Sequence, residues 1–164
     1  MAKGQAPKGS DPARKVHVKL IAKNRRALFD YHVESRHEAG IQLTGTEVKS
    51  LRAGKLQLSD AYAVGNRGNL VLENADIAIY EPAGPQMNHA PKRGRRLLLH
   101  KREIEKLLEQ QQKGGYALIP LSVYFKDGKA KVELGVCKGK KAHDKRDSIA
   151  EREARREMDR GKRR

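Results

Sequence analysis

Three carboxylates are the side chains in this sequence that are best placed for acid–base chemistry. A predicted hairpin and the helix after it could bring Glu34, Glu38 and Glu47 close together, and paired carboxylates can act as general acid and base. The sequence has no glycine-rich phosphate loop, no His-Glu-x-x-His motif and no nucleophile elbow. Solvated or salt-bridged acids are therefore favoured over catalytic ones.

Metal-ligating residue types are present without the spacing of a metal site. None of the six histidines falls at paired i, i+4 spacing on the one clear helical segment. Cys137 is the only cysteine, which excludes an internal disulfide and a multi-cysteine zinc site. We expect it to be a small buried strand residue. We predict neither a metal nor another cofactor.

The charge distribution favours a polyanionic partner. The 164 residues carry a formal net charge of +16, which favours binding to phosphate. Residues 1–28 hold eight basic side chains and one acidic one, residues 29–137 hold sixteen and thirteen, and residues 138–164 hold twelve and six. We expect a nearly neutral folded body between basic ends, with residues 1–15 as a disordered arm.

Neither a membrane span nor a signal peptide is predicted. No run approaches the roughly 18 apolar residues that a spanning helix needs, and the start of the chain lacks an apolar signal region. The length corresponds to one domain of about 100 to 150 residues with extensions. We expect a cytoplasmic protein and, by default, a monomer.

The first half of the body shows strand patterns around one short helix. Residues 27–34 and 39–43 read as two strands of a hairpin. Residues 46–52 predict a short helix that the glycine at position 54 ends. Residues 58–80 return to period two and predict three short strands, at 61–64, 70–72 and 77–80, that tight turns connect.

The second half combines a loop, a helix and a hairpin. Residues 81–96 contain three prolines and four cations and predict an exposed basic loop. Helical spacing over 98–113 ends at a Gly-Gly pair. Residues 116–125 and 129–137 flank a Lys-Asp-Gly turn and predict a hairpin. The whole pattern predicts a mainly β, OB-fold-like closed barrel of six or seven strands with two to three helices, over residues 16–137.

Residues 138–164 form a basic C-terminal tail. Ser148 and Glu151 have the spacing of a capping box, and the helix after them has only a thin apolar line at Ala150, Ala154 and Met158. We predict a tail that is disordered when free and helical against a polyanion. The alternative is a solubilising charged tail.

Basic side chains and few rings predict how a nucleic acid would bind. The aromatic residues lie mostly in predicted strands, so stacking is not the main expected mode. A structured RNA, recognised by its shape, phosphates and 2′-hydroxyls, fits better. The candidate phosphate-neutralising cations are Arg25, Arg26, Lys92, Arg93, Arg95, Arg96, Lys140 and Lys141.

Five segments together match one family: residues 21–25 (IAKNR), 38–41 (EAGI), 43–55 (LTGTEVKSLRAGK), 95–104 (RRLLLHKREI) and 136–146 (VCKGKKAHDKR). They resemble the bacterial SsrA-binding protein family, also called SmpB. The resemblance implies a barrel that binds the tRNA-like domain of transfer-messenger RNA and delivers this RNA to stalled ribosomes. It implies a binding protein rather than an enzyme.

The resemblance also implies which residues bind. The positions that match the family's RNA-facing surface are Asn24, Arg25, Glu38, Leu98 and Lys131. The family's tail enters the decoding centre and the empty mRNA channel, and the positions that match the start of that tail are Lys140, Lys141, His143, Asp144, Lys145 and Arg146. From the residues alone, Glu38 could equally form a surface salt bridge, Leu98 a core contact and His143 part of a solvated linker.

Two other classes of function stay open at this point. One is a small RNA-modifying or RNA-cleaving enzyme that uses Glu38 or Glu47. The other is a generic basic protein of the ribosome or of RNA processing, which would not be enriched on stalled ribosomes.

Overall fold

The computed structural model describes residues 16–161, and the arm predicted over residues 1–15 lies outside them. The strands are β1 Val18–Lys23, β2 Tyr31–Ile41, β3 Leu56–Gln57, β4 Tyr62–Asn66, β5 Asn69–Glu73, β6 Asp76–Ile77, β7 Arg95–Leu98, β8 Tyr116–Lys126 and β9 Lys129–Gly139. The helices are α1 Arg25–Asp30, α2 Gly45–Arg52, α3 Lys101–Gln112 and α4 Ala142–Gly161, with 3-10 turns at Glu81–Ala83 and Pro85–Met87.

Six antiparallel strands close into a barrel. Their order is β8-β4-β5-β7-β2-β9, and pairing of β9 with β8 closes the ring. β1 pairs with the second half of β8, and β3 pairs with β6 in a separate two-stranded sheet. Alternate residues of the ring point inward, and they form a core that includes Ala39, Leu70, Leu97, Leu118 and Val132. The predicted mainly β closed barrel is confirmed; α1, α2 and α3 agree with the predicted two to three helices, and the fourth helix of the described residues, α4, lies in the tail.

The hairpin predicted over residues 27–43 is wrong. Residues Arg25–Asp30 form α1, because the side chain of Asn24 accepts a hydrogen bond from the amide of Ala27 and so caps a helix. Residues Tyr31–Ile41 are one long strand that pairs with β9, and a bulge interrupts the register at Glu34. The bulge changes which face each later side chain takes.

The basic loop predicted over residues 81–96 and the helix predicted from Leu98 both need correction. Arg95–Leu98 is strand β7 between β5 and β2, and α3 begins at Lys101, where Glu103 accepts from the amide of His100. The strand predicted at 77–80 is also too long, because β6 ends at Ile77. Local sequence favoured a loop here, whereas pairing within the barrel makes a strand.

The other elements of the body follow the sequence closely. The helix predicted over 46–52 is α2, and Gly54 after it has a φ of +74°, which suits glycine. The predicted hairpin is β8 and β9, and its two-residue turn at Asp127 and Gly128 has positive φ at both positions. Cys137 is fully buried in β9, and burial raises the pKa of its thiol to about 11.

The tail contains helix α4, which begins before the predicted capping box. The amide of Lys141 donates to the Asp144 carboxylate at 3.1 Å, so Asp144 takes the acidic position in the first turn. Ser148 lies within the helix and donates to the carbonyl of Asp144. None of the side chains of α4 is buried, and the dependence of this helix on a polyanion stays a prediction. Among residues 16–161, no helix has both the length and the apolarity to cross a membrane.

Candidate nucleic-acid interface

Five neighbouring strands present a continuous outer face. Their register aligns Leu20 of β1, Tyr124 of β8, Lys131 of β9, Gly40 of β2 and Leu98 of β7 in one row. The alternate residues of the same strands lie in the barrel core. We call this solvent-side surface, defined by that row and by Glu38 and Lys126 beside it, the outer face.

Glu38 is an acidic group on the outer face. The hydroxyl of Tyr124 donates to its Oε2 at 2.5 Å, and the ammonium of Lys126 lies 3.1 Å from Oε1 and 3.0 Å from Oε2. The hydrogen bond from Tyr124, followed by that from Lys126, lowers the pKa of Glu38. Burial and then the bond to Glu38 raise the pKa of Tyr124 above its usual range. The carboxylate therefore stays ionised and held in place at neutral pH.

Leu98 and Lys131 share one side of the outer face. Leu98 is 51% exposed, and the core leucine of β7 is its neighbour Leu97. Gly40 lies between Leu98 and Lys131 in the row, and a Cβ at Gly40 would come within 3.2 Å of the Leu98 Cβ. A shallow depression is lined by all three residues together with Ile41. An exposed leucine beside a cation offers an apolar contact for a base or ribose and a charge for a phosphate.

Asn24 and Arg25 lie at the start of α1, and they are separated from Glu38 along the direction of strand β8. The Asn24 amide nitrogen donates to the carbonyls of Leu58 and Pro120, at 2.9 and 3.0 Å, while its oxygen caps α1. Its side chain is buried and its hydrogen bonds lie within the protein, whereas Arg25 is exposed. Asn24 therefore fixes the position of the helix that carries Arg25.

Two of the predicted phosphate-binding cations, Arg93 and Arg95, bond to the buried carboxylate of Glu47. Glu47 is fully buried and accepts from Arg93 at 2.6 and 2.8 Å and from Arg95 at 2.7 Å. Arg95 is also fully buried and donates to the carbonyls of Ala75 and Pro91. Burial alone raises the pKa of Glu47, but the bonds from Arg93, the Thr44 amide and Arg95 lower it to about 2. The prediction that Arg95 binds phosphate is wrong, because its side chain is fully buried, whereas that for Arg93, whose side chain is 32% exposed, stays a prediction.

The three carboxylates singled out in the sequence have separate neighbours. Glu34 lies beside Tyr116 and raises the pKa of its hydroxyl. Glu38 accepts a hydrogen bond from Tyr124, and Glu47 is paired with Arg93 and Arg95. Glu47 is buried and inaccessible to a substrate, so it cannot be a catalytic residue of an RNA-cleaving enzyme. Within the part of the chain that the structure describes, no group of three or more His, Cys, Asp or Glu side chains could hold a metal ion.

The tail residues lie just before α4 and in its first turns, beside α1. Lys145 forms an ion pair with Asp30 at 3.0 Å and, ahead of opposing burial, lowers the pKa of that carboxyl. Lys140 donates to Ser148 at 3.1 Å, and the guanidinium of Arg152 lies 5.8 Å from the ring centre of Phe29. The other tail candidates, Lys141, His143, Asp144 and Arg146, are exposed.

Sequence reasoning missed Tyr124 and Lys126. Both lie on β8 with one residue between them, so strand periodicity places them on the same side. That alternation was readable in the sequence. The sequence alone does not reveal the strand register, which places the side chains of Tyr124 and Lys126 next to Glu38 of β2.

Comparison with known proteins gives consistent similarities. The family model described as SmpB protein matches residues 21–164. An SsrA-binding protein of Pelotomaculum thermopropionicum is 55% identical over 143 residues, which are 87% of this chain and 93% of that protein. An SsrA-binding protein of Thermobifida fusca is 51% identical over 162 residues, which are 99% of this chain and 94% of that protein.

A solved structure is similar in fold as well as in sequence. It is a chain from the work "tmRNA-SmpB: a journey to the center of the bacterial ribosome", with a TM-score of 0.63 and 50% identity. The similarity covers 74% of this chain and 85% of that one.

Proposed function

The chain belongs to the SmpB protein family, and from this we propose that it binds transfer-messenger RNA and delivers it to stalled ribosomes. Its relatives are named for binding SsrA RNA, and the similar solved chain comes from work on tmRNA and the ribosome. The RNA site would be the tRNA-like domain. A ribosomal partner would make this a cytoplasmic protein.

The outer face carries the proposal for the barrel. It combines the cations Lys126 and Lys131, the ionised acceptor Glu38 and exposed apolar groups such as Leu98 on paired strands. Lys131 and Arg25 would contact phosphates, Glu38 would accept hydrogen bonds from base amino groups or ribose hydroxyls, and Leu98 would pack on a base or ribose. Asn24 would act by holding α1 and Arg25 in place.

A separate role is proposed for the tail. We infer that Lys140, Lys141, His143, Asp144, Lys145 and Arg146 contact ribosomal RNA at the decoding centre and in the empty mRNA channel. Support comes from the net charge of +6 over residues 138–164 and from the absence of buried side chains in α4. Engagement of the ribosome by Lys145 requires it to leave Asp30.

Equilibrium binding tests the RNA assignment. The tRNA-like domain of transfer-messenger RNA is compared with an elongator tRNA over a salt series. We expect a preference for the tRNA-like domain that persists as salt rises, because shape and hydrogen-bond contacts are screened less than phosphate contacts. Equal affinities with one steep salt slope would contradict recognition by the outer face.

A truncated chain tests the division between barrel and tail. Deletion of residues 142–164 should largely preserve affinity for the tRNA-like domain and abolish tagging of peptides on stalled ribosomes. Loss of both functions together would contradict the proposed division. If the protein were instead a constitutive ribosomal component, it would be found at equal occupancy on translating and stalled ribosomes.

A further inference from the structure

Glu38 has a neighbour of like charge on the outer face. It lies opposite Glu133 of β9 in the register, and side chains directly opposite in antiparallel strands lie about 5 Å apart. Glu133 is held by Arg36 at 3.1 Å and by the Ser122 hydroxyl at 2.9 Å. The two carboxylates thus have separate donors, and Glu38 is directed toward β8.

Tyr124 and Glu38 meet above β9, since that strand lies between β8 and β2. Two strand spacings separate their backbones, about 9.5 Å, and only a long side chain from β8 can cross most of this gap. The Tyr124 ring spans it with two rotatable bonds. Lys126 reaches the same carboxylate through four, so its geometry is less restricted.

We propose that Tyr124 is a positioning residue that presents Glu38 to the RNA. This inference rests on the proposed function and adds a residue to it. Oε2 accepts from both Tyr124 and Lys126, whereas Oε1 accepts from Lys126 alone. A carboxylate oxygen has two lone pairs, so Oε1 keeps one acceptor position open for a base amino group or a ribose hydroxyl. The fixed Oε2 determines where that position points.

The electrostatic surroundings of Glu38 agree with this role. The groups that face it are Tyr124 and Lys126 from β8 and Lys131 and Glu133 from β9. Tyr124 is the only uncharged group among these four, so its hydrogen bond can be removed without changing the charge of the face. Substitution by phenylalanine keeps the ring and removes a single donor.

The first test is made on the free protein. In Y124F, the pKa of Glu38, followed by NMR titration of its side-chain carboxyl, should rise toward the ordinary range because its principal stabilising hydrogen bond is lost. Thermal unfolding should stay close to that of the unsubstituted protein. Y62F removes the hydroxyl of a tyrosine on β4 that is 39% exposed and serves as the matched control. An unchanged pKa of Glu38 in Y124F would overturn the inference.

The second test is a double-mutant cycle with the full chain. Y124F should weaken binding to the tRNA-like domain about threefold to tenfold, as expected for one hydrogen bond to a positioned group. It should have no further effect in an E38A background, because Tyr124 acts through Glu38. An equal loss in both backgrounds would show that the hydroxyl contacts RNA itself or supports the fold, and would overturn the inference.

The failure of this inference can be distinguished from that of the proposed function. If the unsubstituted protein does not prefer the tRNA-like domain over elongator tRNA, the proposed function fails and the inference with it. If that preference exists and Y124F retains it in full, only the positioning role of Tyr124 fails.

Discussion

Glu38 and Glu47 are two carboxylates of one barrel, and each is held by two side chains that donate hydrogen bonds. Glu47 is fully buried between Arg93 and Arg95, whereas the side chain of Glu38 is 39% exposed and bonded to Tyr124 and Lys126. Both have a lowered pKa. The difference shows that pairing alone does not assign a role, since burial makes one carboxylate structural and exposure leaves the other available to a partner.

The buried cluster ties together segments that lie far apart in the chain. Glu47 belongs to α2, Arg95 to β7, and Arg95 also donates to the carbonyls of Ala75 and Pro91. The Thr44 amide donates to Glu47 at 2.7 Å. Such a network of buried charges is stable only while every member has its partners.

The largest expected effect is that of Glu47→Gln. Removal of this charge leaves Arg95 buried without its counter-ion, and we expect a loss of about 3–5 kcal/mol in the free energy of unfolding. Urea denaturation of the variant measures the loss. Glu38→Gln is the matched control and should change stability by less than about 0.5 kcal/mol. Equal destabilisation by the two substitutions would contradict the contrast between the buried and the exposed carboxylate.

Protonation of Glu47 at low pH removes the same negative charge reversibly, and we expect a smaller loss of stability. The pKa of Glu47 is about 2 in the folded protein and near 4.5 when unfolded. As pH falls below 4.5, the unfolded state binds a proton that the folded state does not, so the contribution of Glu47 is present above that pH and is lost as pH approaches 2. Denaturant midpoints measured at several pH values should therefore fall less steeply for Glu47→Gln. Parallel curves would contradict this assignment.

The buried cluster also marks where sequence reasoning failed. Arg95 follows prolines, glycine and other cations, which favoured an exposed loop, yet its partner Glu47 lies 48 positions earlier. The same limit applies to Asn24, whose side-chain nitrogen donates to carbonyls 34 and 96 positions away and so holds the cap of α1 in place. By contrast, the β8–β9 hairpin was predictable because its turn and its alternation are local. The candidate site shows the same limit. The family resemblance identified Glu38 and Leu98, whereas Tyr124 was identified only from the strand register of the structure.

Glu38→Ala tests the exposed carboxylate. The substitution makes the protein more positive, so electrostatics alone predicts tighter RNA binding. We expect weaker binding to the tRNA-like domain instead, by about fivefold to thirtyfold, because the variant loses hydrogen-bond acceptors. Glu105→Ala removes an exposed carboxylate from α3 and is the control for net charge. Tighter binding by both variants would show that Glu38 makes no direct contact.

Asp30 lies between these two cases and gives the smallest expected effect. Its side chain is 26% exposed and pairs with Lys145 of α4 at 3.0 Å and with Arg26 at 3.4 Å. Exposed ion pairs contribute at most about 1 kcal/mol and are screened by salt. Asp30→Asn should therefore leave global stability almost unchanged and loosen the packing of α4 on α1.

Hydrogen exchange of the α4 amides measures that loosening. We expect faster exchange in Asp30→Asn at low salt, and high salt should produce the same acceleration in the unsubstituted protein. Asp60→Asn is the matched control, because Asp60 pairs at 3.0 Å with Arg26 of α1, whereas Lys145 pairs with Asp30. Equal exchange in all three proteins would mean that Lys145 does not hold the tail. Lys145 could then bind the ribosome without first breaking an ion pair with Asp30. The tail would differ from the Glu38 and Glu47 clusters of the barrel, because no ion pair would hold it in place.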